Sequence, residues 1–230
     1  MSTPQLPLGL RWTRDQQLDR YRDAPAGLLP TLRAVAEAGD RGVFLGGPPG
    51  SGRTHLLLAT CAAASAAGRA VVYLPLRNFA AHVQQVLEGQ RAVPLACVDD
   101  VQVIAGDRAT EIALFNLHNR VRDGGGAVLY AADAMPARLP LALPDLQSRL
   151  AQCAQFPLNA PDDAQRRAIL RERASVRGLD LDDMVLDYLF RHCPRDLTKL
   201  SALLDHLDRA ALAAQRRVTV PFLKGVLDAD

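Results

Sequence analysis

The sequence predicts an α/β fold, a five-stranded parallel sheet flanked by helices, followed by a small all-α domain. Three observations predict it. Short apolar runs alternate with helical periodicity up to about residue 160, which is typical of parallel strands buried on both faces. A glycine-rich turn joins the first apolar run to a helical one. Beyond Pro161 only helical periodicity remains. We therefore expect an α/β domain over residues 14–160 and a helical lid domain over residues 161–230.

The apolar runs and the helical stripes follow each other in a regular order. The predicted strands are residues 42–46, 71–74, 95–98, 127–131 and 155–158. Helical periodicity precedes or separates them at residues 28–35, 54–67, 79–87 and 110–122. In the lid, the predicted helices are residues 162–176, 182–192, 196–214 and 221–227. Asp162, Asp182 and Thr219 are candidate N-caps because each precedes a periodic stretch.

Composition excludes several classes of protein. With 49% hydrophobic and 23% charged residues, the chain is neither disordered nor fibrous. The 27 basic and 25 acidic residues nearly cancel, whereas a dedicated DNA-binding domain usually carries a basic excess. The longest apolar stretches are shorter than the ~18 residues that a membrane span needs, and no secretory signal is visible. We expect a cytoplasmic protein without membrane contact, whose four cysteines are free thiols because none has metal or redox spacing.

Residues 47–54 form the strongest motif. They read Gly-Pro-Pro-Gly-Ser-Gly-Arg-Thr and match the P-loop pattern G-x-x-x-x-G-K-[ST] with arginine in the lysine position. The motif lies between a predicted strand and a predicted helix, as a P-loop requires. Its glycines let backbone N–H groups turn toward phosphates, and the helix N-terminus adds positive potential. The predicted nucleotide-binding residues are Gly47, Pro48, Pro49, Gly50, Ser51, Gly52, Arg53 and Thr54.

Two acidic residues end the third apolar run. Asp99 and Asp100 stand at the carboxyl end of a predicted strand, where open α/β sheets bind ligands. Asp99 follows Thr54 by 45 residues, a spacing that favours a Walker B motif. We expect Asp99 and the Thr54 hydroxyl to hold Mg²⁺, and Asp100 to polarise water or orient the γ-phosphate.

Arg53 occupies the position that lysine takes in most P-loops. Lysine is a compact point charge, whereas arginine is longer, planar and forked, so the exchange is not conservative. Only two of the 27 basic residues are lysines, so a general arginine bias is an alternative explanation. We hypothesise that this site binds nucleotide and hydrolyses it poorly.

These motifs, in this order, resemble those of the AAA+ superfamily, and most of all the ATPase domain of the bacterial initiator DnaA. Residues 52–57 are similar to the initiator's GKTHLL, and residues 98–106 to its IDDIQFLAG. Residues 113–119 are similar to part of its FFHTFNALH segment. The resemblance covers residues 14–230 and implies an AAA+ base followed by a helical lid.

The same resemblance assigns roles to three further residues. Asp133 lies in a segment similar to SDRPP, which implies sensor 1. Arg149 lies in Ser-Arg-Leu, similar to the SRF that carries the arginine finger. Arg195 lies in Pro-Arg-Asp-Leu, similar to the region that carries sensor 2. Taken alone, either arginine is most simply a solvated surface charge, since the chain has 25 arginines.

The first thirteen residues are punctuated by prolines, and we expect an extended tail. The segment Gln-Leu-Pro-Leu-Gly-Leu at residues 5–10 resembles the short motif by which bacterial proteins dock on the sliding clamp. The implied clamp-binding residues are Gln5, Leu6, Leu8 and Leu10. A polar notch would take the glutamine and an apolar pocket the last two leucines. A tail without a binding role is the alternative.

This architecture resembles that of the Hda family of regulatory inactivators of DnaA. It combines a clamp-docking tail, a DnaA-like base and a lid, with no helix-turn-helix domain after them. That resemblance implies a protein bound to ADP (or ATP) and Mg²⁺, with weak or no ATPase activity of its own. It implies that Arg149 acts in trans on ATP held by DnaA, that contact with DNA is mainly through the clamp, and that the chain can self-associate. Some members carry asparagine where this chain has Asp100, so residual hydrolysis stays open.

Two other functions stay open at this point. The intact Thr54, Asp99 and Asp100 allow an autonomous AAA+ ATPase, such as a DnaC-type helicase loader. A DnaA-like DNA-binding module is the third possibility, and the balanced charge argues against it. The sequence does not identify the residues that contact adenine, for which Tyr21 is one candidate.

Overall fold

The structure is a computed structural model that describes residues 16–39, 41–193, 197–214 and 217–227. The strands are β1 Val43–Gly46, β2 Val71–Pro75, β3 Leu95–Asp99, β4 Ala127–Ala132 and β5 Ala154–Pro157. The helices of the first part are α1 Leu28–Glu37, α2 Arg53–Ala66, α3 Val83–Glu88, α4 Arg108–Asp123 and α5 Pro144–Ala151. Those of the lid are α6 Asp163–Val176, α7 Asp183–His192, α8 Leu197–Ala214 and α9 Val220–Leu227.

All five strands pair in parallel, in the order β2-β3-β4-β1-β5. This confirms the predicted parallel sheet. Every residue of β1, β3 and β4 is buried, because helices cover both faces of the sheet. The loop that follows β1 therefore leaves the sheet between two neighbouring strands, β4 and β5.

Alternate residues of each central strand face different layers of helices. Val43 and Leu45 pack with α1 and α2 on one face of the sheet. Phe44 points to the other face, where it joins the apolar residues of α3, α4 and α5. This alternation follows from the pleat of a strand, in which successive side chains point to opposite faces. Helix α2, which begins at the glycine-rich loop, is thus anchored directly against the sheet.

The lid packs around an apolar core of its own. Leucines from all four lid helices meet there, with Leu170, Leu186, Leu204 and Leu223 almost fully buried. The predicted N-caps Asp162 and Asp182 are confirmed: their carboxylates accept the backbone N–H of Gln165 at 2.7 Å and of Val185 at 2.8 Å. None of the helices in the described ranges is both long and apolar enough to cross a membrane.

Helix α5 was not anticipated by the periodicity. It is short and amphipathic, it begins with Pro144, and it buries Leu146 and Leu150 against the sheet layer. Proline is favoured at the first position of a helix because the missing N–H has no intrahelical partner there. Arg149 lies in the last turn of this helix. Two short 3-10 turns, Leu76–Asn78 and Val101–Ile104, follow β2 and β3.

Candidate functional site

The loop between β1 and α2 has the backbone geometry of a phosphate cradle. Gly50 and Gly52 have φ angles of 80° and 86°, in the left-handed region that side chains rarely adopt. A Cβ on Gly52 would also lie 2.7 Å from the ring of Tyr21. A Cβ on Gly47 would lie 2.5 Å from the carbonyl oxygen of Leu158. Glycine is thus required at these positions by conformation and by close packing.

Two polar groups of the loop are buried without a hydrogen-bond partner among the described residues. They are the Ser51 hydroxyl and the Nη1 of Arg53. A buried polar group without a partner is unfavourable, so both atoms fit a site that is completed by ligand oxygens. Arg53 is also the first residue of α2, where the helix dipole favours anions. The loop therefore fits a nucleotide phosphate.

The hydroxyl of Thr54 and the carboxylate of Asp99 meet at the carboxyl edge of the sheet. Thr54 donates to Asp99 Oδ2 at 2.6 Å, and Tyr73 donates to the same oxygen at 3.0 Å. Burial raises the pKa of Asp99, although the hydrogen bonds from Thr54 and Tyr73 oppose that shift. Hydroxyl and carboxylate oxygens are hard ligands that suit Mg²⁺. The predicted Thr54–Asp99 pair is thus assembled, with a donor set that fits a cation.

Asp100 lies next to this pair but is engaged by other side chains. Its φ of 59° is left-handed, a conformation that costs energy for a residue with a side chain and is common at functional sites. Arg77 forks onto it, with Nε 3.1 Å from Oδ2 and Nη2 3.3 Å from Oδ1. Gln102 donates to Oδ1 at 2.8 Å. Both carboxylate oxygens therefore accept protein donors, which compete with any water that Asp100 would polarise.

Gln102 also connects the Walker B turn to the end of β4. Its amide oxygen accepts the backbone N–H of Asp133 at 3.2 Å. The Asp133 side chain is exposed just beyond β4, which is the neighbour of β1 in the sheet. The predicted sensor 1 residue thus lies at the same edge of the sheet as the glycine-rich loop, and Gln102 joins it to Asp100.

A cleft of about 180 Å³ opens between the glycine-rich loop and the lid. It is lined by Tyr21, by the loop glycines and by Ile169 of α6, among others. The hydroxyl of Tyr21 donates to the Ser51 carbonyl at 2.9 Å, and burial raises the pKa of Tyr21 to about 12, with Asp23 adding to the shift. Tyr21 therefore stays a neutral aromatic wall beside the phosphate cradle.

Ion pairs cross this cleft from the N-terminal segment to the lid. Arg22 reaches Glu172 of α6 through Nε at 2.8 Å and Nη2 at 2.6 Å. Arg20 lies 3.6 Å from the other oxygen of Glu172. Gln165 donates to Asp23 at 2.7 Å. We call the three side chains Arg20, Arg22 and Glu172 the cleft latch.

Arg149 lies at the amino ends of the strands, opposite the edge that carries the glycine-rich loop. Its carbonyl accepts a hydrogen bond from the thiol of Cys153 at 3.4 Å. Ala154, which follows Cys153, pairs with Val43 at the amino end of β1. Strand β1 then advances about 13 Å before the glycine-rich loop begins. The Arg149 side chain is exposed, and no described residue forms an ion pair with it. It lies at the opposite end of β1 from the cradle of its own chain, and its exposed charge is available to another molecule.

A buried histidine lies close to Arg149. His118 is buried beneath it and lies 2.9 Å from the Tyr130 hydroxyl. Burial, together with the positive charges of Arg149 and Arg122, lowers the pKa of His118 to about 4. His118 is therefore neutral at physiological pH, and both arginines approach it closely enough to influence its charge.

Comparison with protein families decides the relationship. The family model for the bacterial DnaA ATPase domain matches residues 30–158, and the model for the lid domain of Hda matches residues 163–227. The first match alone spans more than half of the chain. The chain belongs to the DnaA family of AAA+ proteins. Its lid is Hda-like, and the two matches together mark it as a DnaA-related replication regulator.

Solved structures of this superfamily share the fold. Domain III of Thermotoga maritima DnaA superimposes with a TM-score of 0.74 at 21% identity, covering 96% of this chain and 98% of that one. AMPPCP-bound DnaA from Aquifex aeolicus gives 0.66 at 21% identity, covering 87% and 67%. The Thermotoga maritima RuvB Holliday junction branch migration motor gives 0.60 at 14% identity, covering 95% and 73%. At these identities the likeness establishes the AAA+ architecture.

Some predicted site residues of this DnaA-family protein lie outside the described residues. They are Arg195 and the tail residues Gln5, Leu6, Leu8 and Leu10. Sequence reasoning also missed two residues of the site, Arg77 and Glu172. Neither lies in a motif, and their partners come from distant parts of the chain. Only the strand register, which aligns Pro75 with Asp99, could have brought Arg77 beside the Walker B turn.

Proposed function

We propose that the chain is a nucleotide-bound regulator that stimulates hydrolysis of ATP held by DnaA, through Arg149 supplied in trans. The observation that carries this proposal is the position of Arg149, exposed on α5 at the edge of the sheet remote from its own P-loop. An arginine there cannot serve its own nucleotide site. A partner with a DnaA-type P-loop, packed against this edge, can receive it.

The residues at the carboxyl edge of the sheet fit an adenine nucleotide with Mg²⁺. The unpartnered Ser51 hydroxyl and Nη1 of Arg53 would bind phosphate oxygens, and Thr54 and Asp99 would hold the cation. The cation supplies charge neutralisation between phosphate oxygens when it is bound. The cleft beside Tyr21 would take the base. We propose ADP as the resident nucleotide, as the Hda-like lid suggests. The engaged Asp100 disfavours hydrolysis of ATP by this chain.

The chemistry expected from Arg149 is electrostatic. Phosphoryl transfer spreads negative charge over the equatorial oxygens, and a guanidinium positioned there stabilises it. An arginine supplied in trans is worth about 10³–10⁵ in rate. DnaA would be left in its ADP form, and renewed initiation would be suppressed.

The tail is proposed to bring the two proteins together. Docking of residues 5–10 on the sliding clamp would hold the chain close to DnaA on the same DNA, which raises its effective concentration. Contact with DNA would then be mainly through the clamp, in the cytoplasm. Self-association would hide either the tail or Arg149, and so would lower the activity.

The experiment measures the lifetime of radiolabelled ATP preloaded on DnaA, with clamp-loaded DNA present. Wild type should shorten it and Arg149→Ala should not. Arg191→Ala is the matched control, because it removes an exposed arginine from lid helix α7. If both variants lose activity, the loss reflects the overall positive charge of the chain and not the position of Arg149. If wild type does not shorten the lifetime of the ATP, the proposal is wrong.

An autonomous ATPase of the helicase-loader type is the second candidate. The Thr54–Asp99 contact at 2.6 Å favours it. Steady-state ATP turnover of the chain alone separates the two functions. Turnover at ordinary ATPase rates of about 1 s⁻¹ or more, without DnaA, would favour the loader.

A further inference from the structure

A charged side chain is buried between the Walker B turn and the helix that carries Arg149. Glu111 of α4 is 0% exposed, and no salt bridge to it is formed within the described part of the chain. Burial of a carboxylate is unfavourable unless hydrogen bonds replace the water. This burial therefore requires an explanation in the contacts that Glu111 makes.

Three backbone N–H groups supply those hydrogen bonds. Gly106 donates to Oε1 at 2.8 Å, Ala142 to Oε1 at 3.0 Å and Leu143 to Oε2 at 2.6 Å. Such charge-assisted bonds are shorter and stronger than neutral ones. One carboxylate thus joins two segments that lie far apart in the sequence.

Each of the two segments has a role in the site. Gly106, at a φ of 91°, ends the turn that Asp100 begins. Leu143 is the N-cap residue of α5 and has no side-chain cap of its own. Glu111 instead accepts the backbone N–H of this N-cap residue from the neighbouring helix. Arg149 follows on the same short helix, so the position of the first turn of α5 sets the direction of its side chain.

We propose that Glu111 is a positioning residue for Arg149, which fixes the start of α5 relative to the Walker B turn. This inference rests on the proposed function in trans. The buried Leu146 and Leu150 hold α5 against the sheet, and the carboxylate fixes where the helix begins. Misplacement of a catalytic group by about 1 Å costs about 10²-fold in rate, so this contact matters for the reaction.

The test is Glu111→Gln, which keeps the size of the side chain but turns one acceptor oxygen into an N–H donor. The maximal rate of DnaA-bound ATP hydrolysis should fall at least about tenfold, as expected when Arg149 is misplaced by less than 1 Å. The half-saturating concentration of the chain and its affinity for ADP should stay within about twofold of wild type, because the cradle and the tail are unaltered. Hydrogen exchange of the Ala142 and Leu143 amides should be faster.

Thr60→Ala is the matched control. Thr60 is also 0% exposed and donates to Leu56 within α2, so its loss perturbs a buried polar contact away from α5. It should leave the maximal rate unchanged. Ala142→Pro is a second variant for the case that Glu111→Gln does not fold, because it removes one N–H donor and leaves the carboxylate. It should lower the maximal rate and leave the half-saturating concentration and the affinity for ADP unchanged.

The outcomes separate the two proposals. Faster exchange at Ala142 and Leu143 with an unchanged maximal rate would overturn the positioning role of Glu111. Equal loss in Glu111→Gln and Thr60→Ala would overturn it as well, since general destabilisation would then suffice. If wild type itself fails to stimulate DnaA, the proposed function is wrong. If hydrogen exchange at Ala142 and Leu143 is unchanged in Glu111→Gln, the hydrogen bonds to Glu111 do not hold the start of α5, whatever the proposed function.

Discussion

The cleft latch predicts how fast nucleotide leaves the chain. Glu172→Gln keeps the shape of the side chain and removes the charge that Arg22 and Arg20 contact. The Arg22 and Glu172 side chains are 52% and 28% exposed, so solvent screens the pair, and such pairs contribute about 0.2–1 kcal/mol. With two arginines converging on one carboxylate, we take the upper end, about 1 kcal/mol. Since about 1.4 kcal/mol is tenfold, release should be about fivefold faster.

The assay is rapid mixing of the complex with a fluorescent ADP against excess unlabelled ADP. Asp205→Asn is the matched control, because Asp205 pairs with Arg177 at 2.7 Å entirely within the lid. Wild-type release should accelerate at 1 M salt, where the screening length is about 3 Å, and Glu172→Gln should respond less. Equal release rates and equal salt dependence in Glu172→Gln and wild type would refute the reasoning.

Two further predictions concern the acidic pair. Arg77→Ala frees Oδ2 of Asp100 and leaves Oδ1 with Gln102 alone, so ATP turnover by the chain alone should rise by at most about fivefold, measured as phosphate release. Adding Asp100→Asn should abolish the gain, and an unchanged rate in the single variant would count against the competition. Burial raises the pKa of Asp99, so its ionised form destabilises the fold above that pKa, and the cost disappears as pH falls through it. Asp99→Asn without nucleotide should therefore melt at the same or a higher temperature than wild type at pH 7, and should lose stabilisation by Mg²⁺-nucleotide; a lower melting temperature would contradict this.

The sequence predicted those parts of the fold that depend on local pattern. Continuous apolar runs predicted β1, β3 and β4, because a parallel sheet buried on both faces imposes that composition. The aspartates at 162 and 182 predicted helix starts, because their carboxylates accept N–H groups within the same turn. Thr54 and Asp99 were predicted to hold one Mg²⁺ ion, and the structure places their side chains in contact.

Other parts of the site depend on contacts that no local pattern encodes. Helix α5 is only two turns long and begins with proline, so its periodicity is too brief to recognise. The fork of Arg77 on Asp100 requires the register of β2 against β3. The cleft latch joins residues 150 positions apart in the sequence. These contacts are set by tertiary packing, and sequence reasoning could place them only with the topology in hand.

The turn after β3 gives a physical route between the two edges of the sheet. Asp99 ends the strand beside Thr54, and the turn that follows carries Gln102, which contacts both Asp100 and the backbone of Asp133. The same turn ends at Gly106. The carboxylate of Glu111 accepts the N–H of Gly106 and also the N–H of Leu143 at the start of α5. A ligand that moves this turn would shift the helix of Arg149 without any change in the buried strands. If the route acts, replacing ADP by an empty site should speed hydrogen exchange at Leu143 in wild type but not in Glu111→Gln, where the link is already broken.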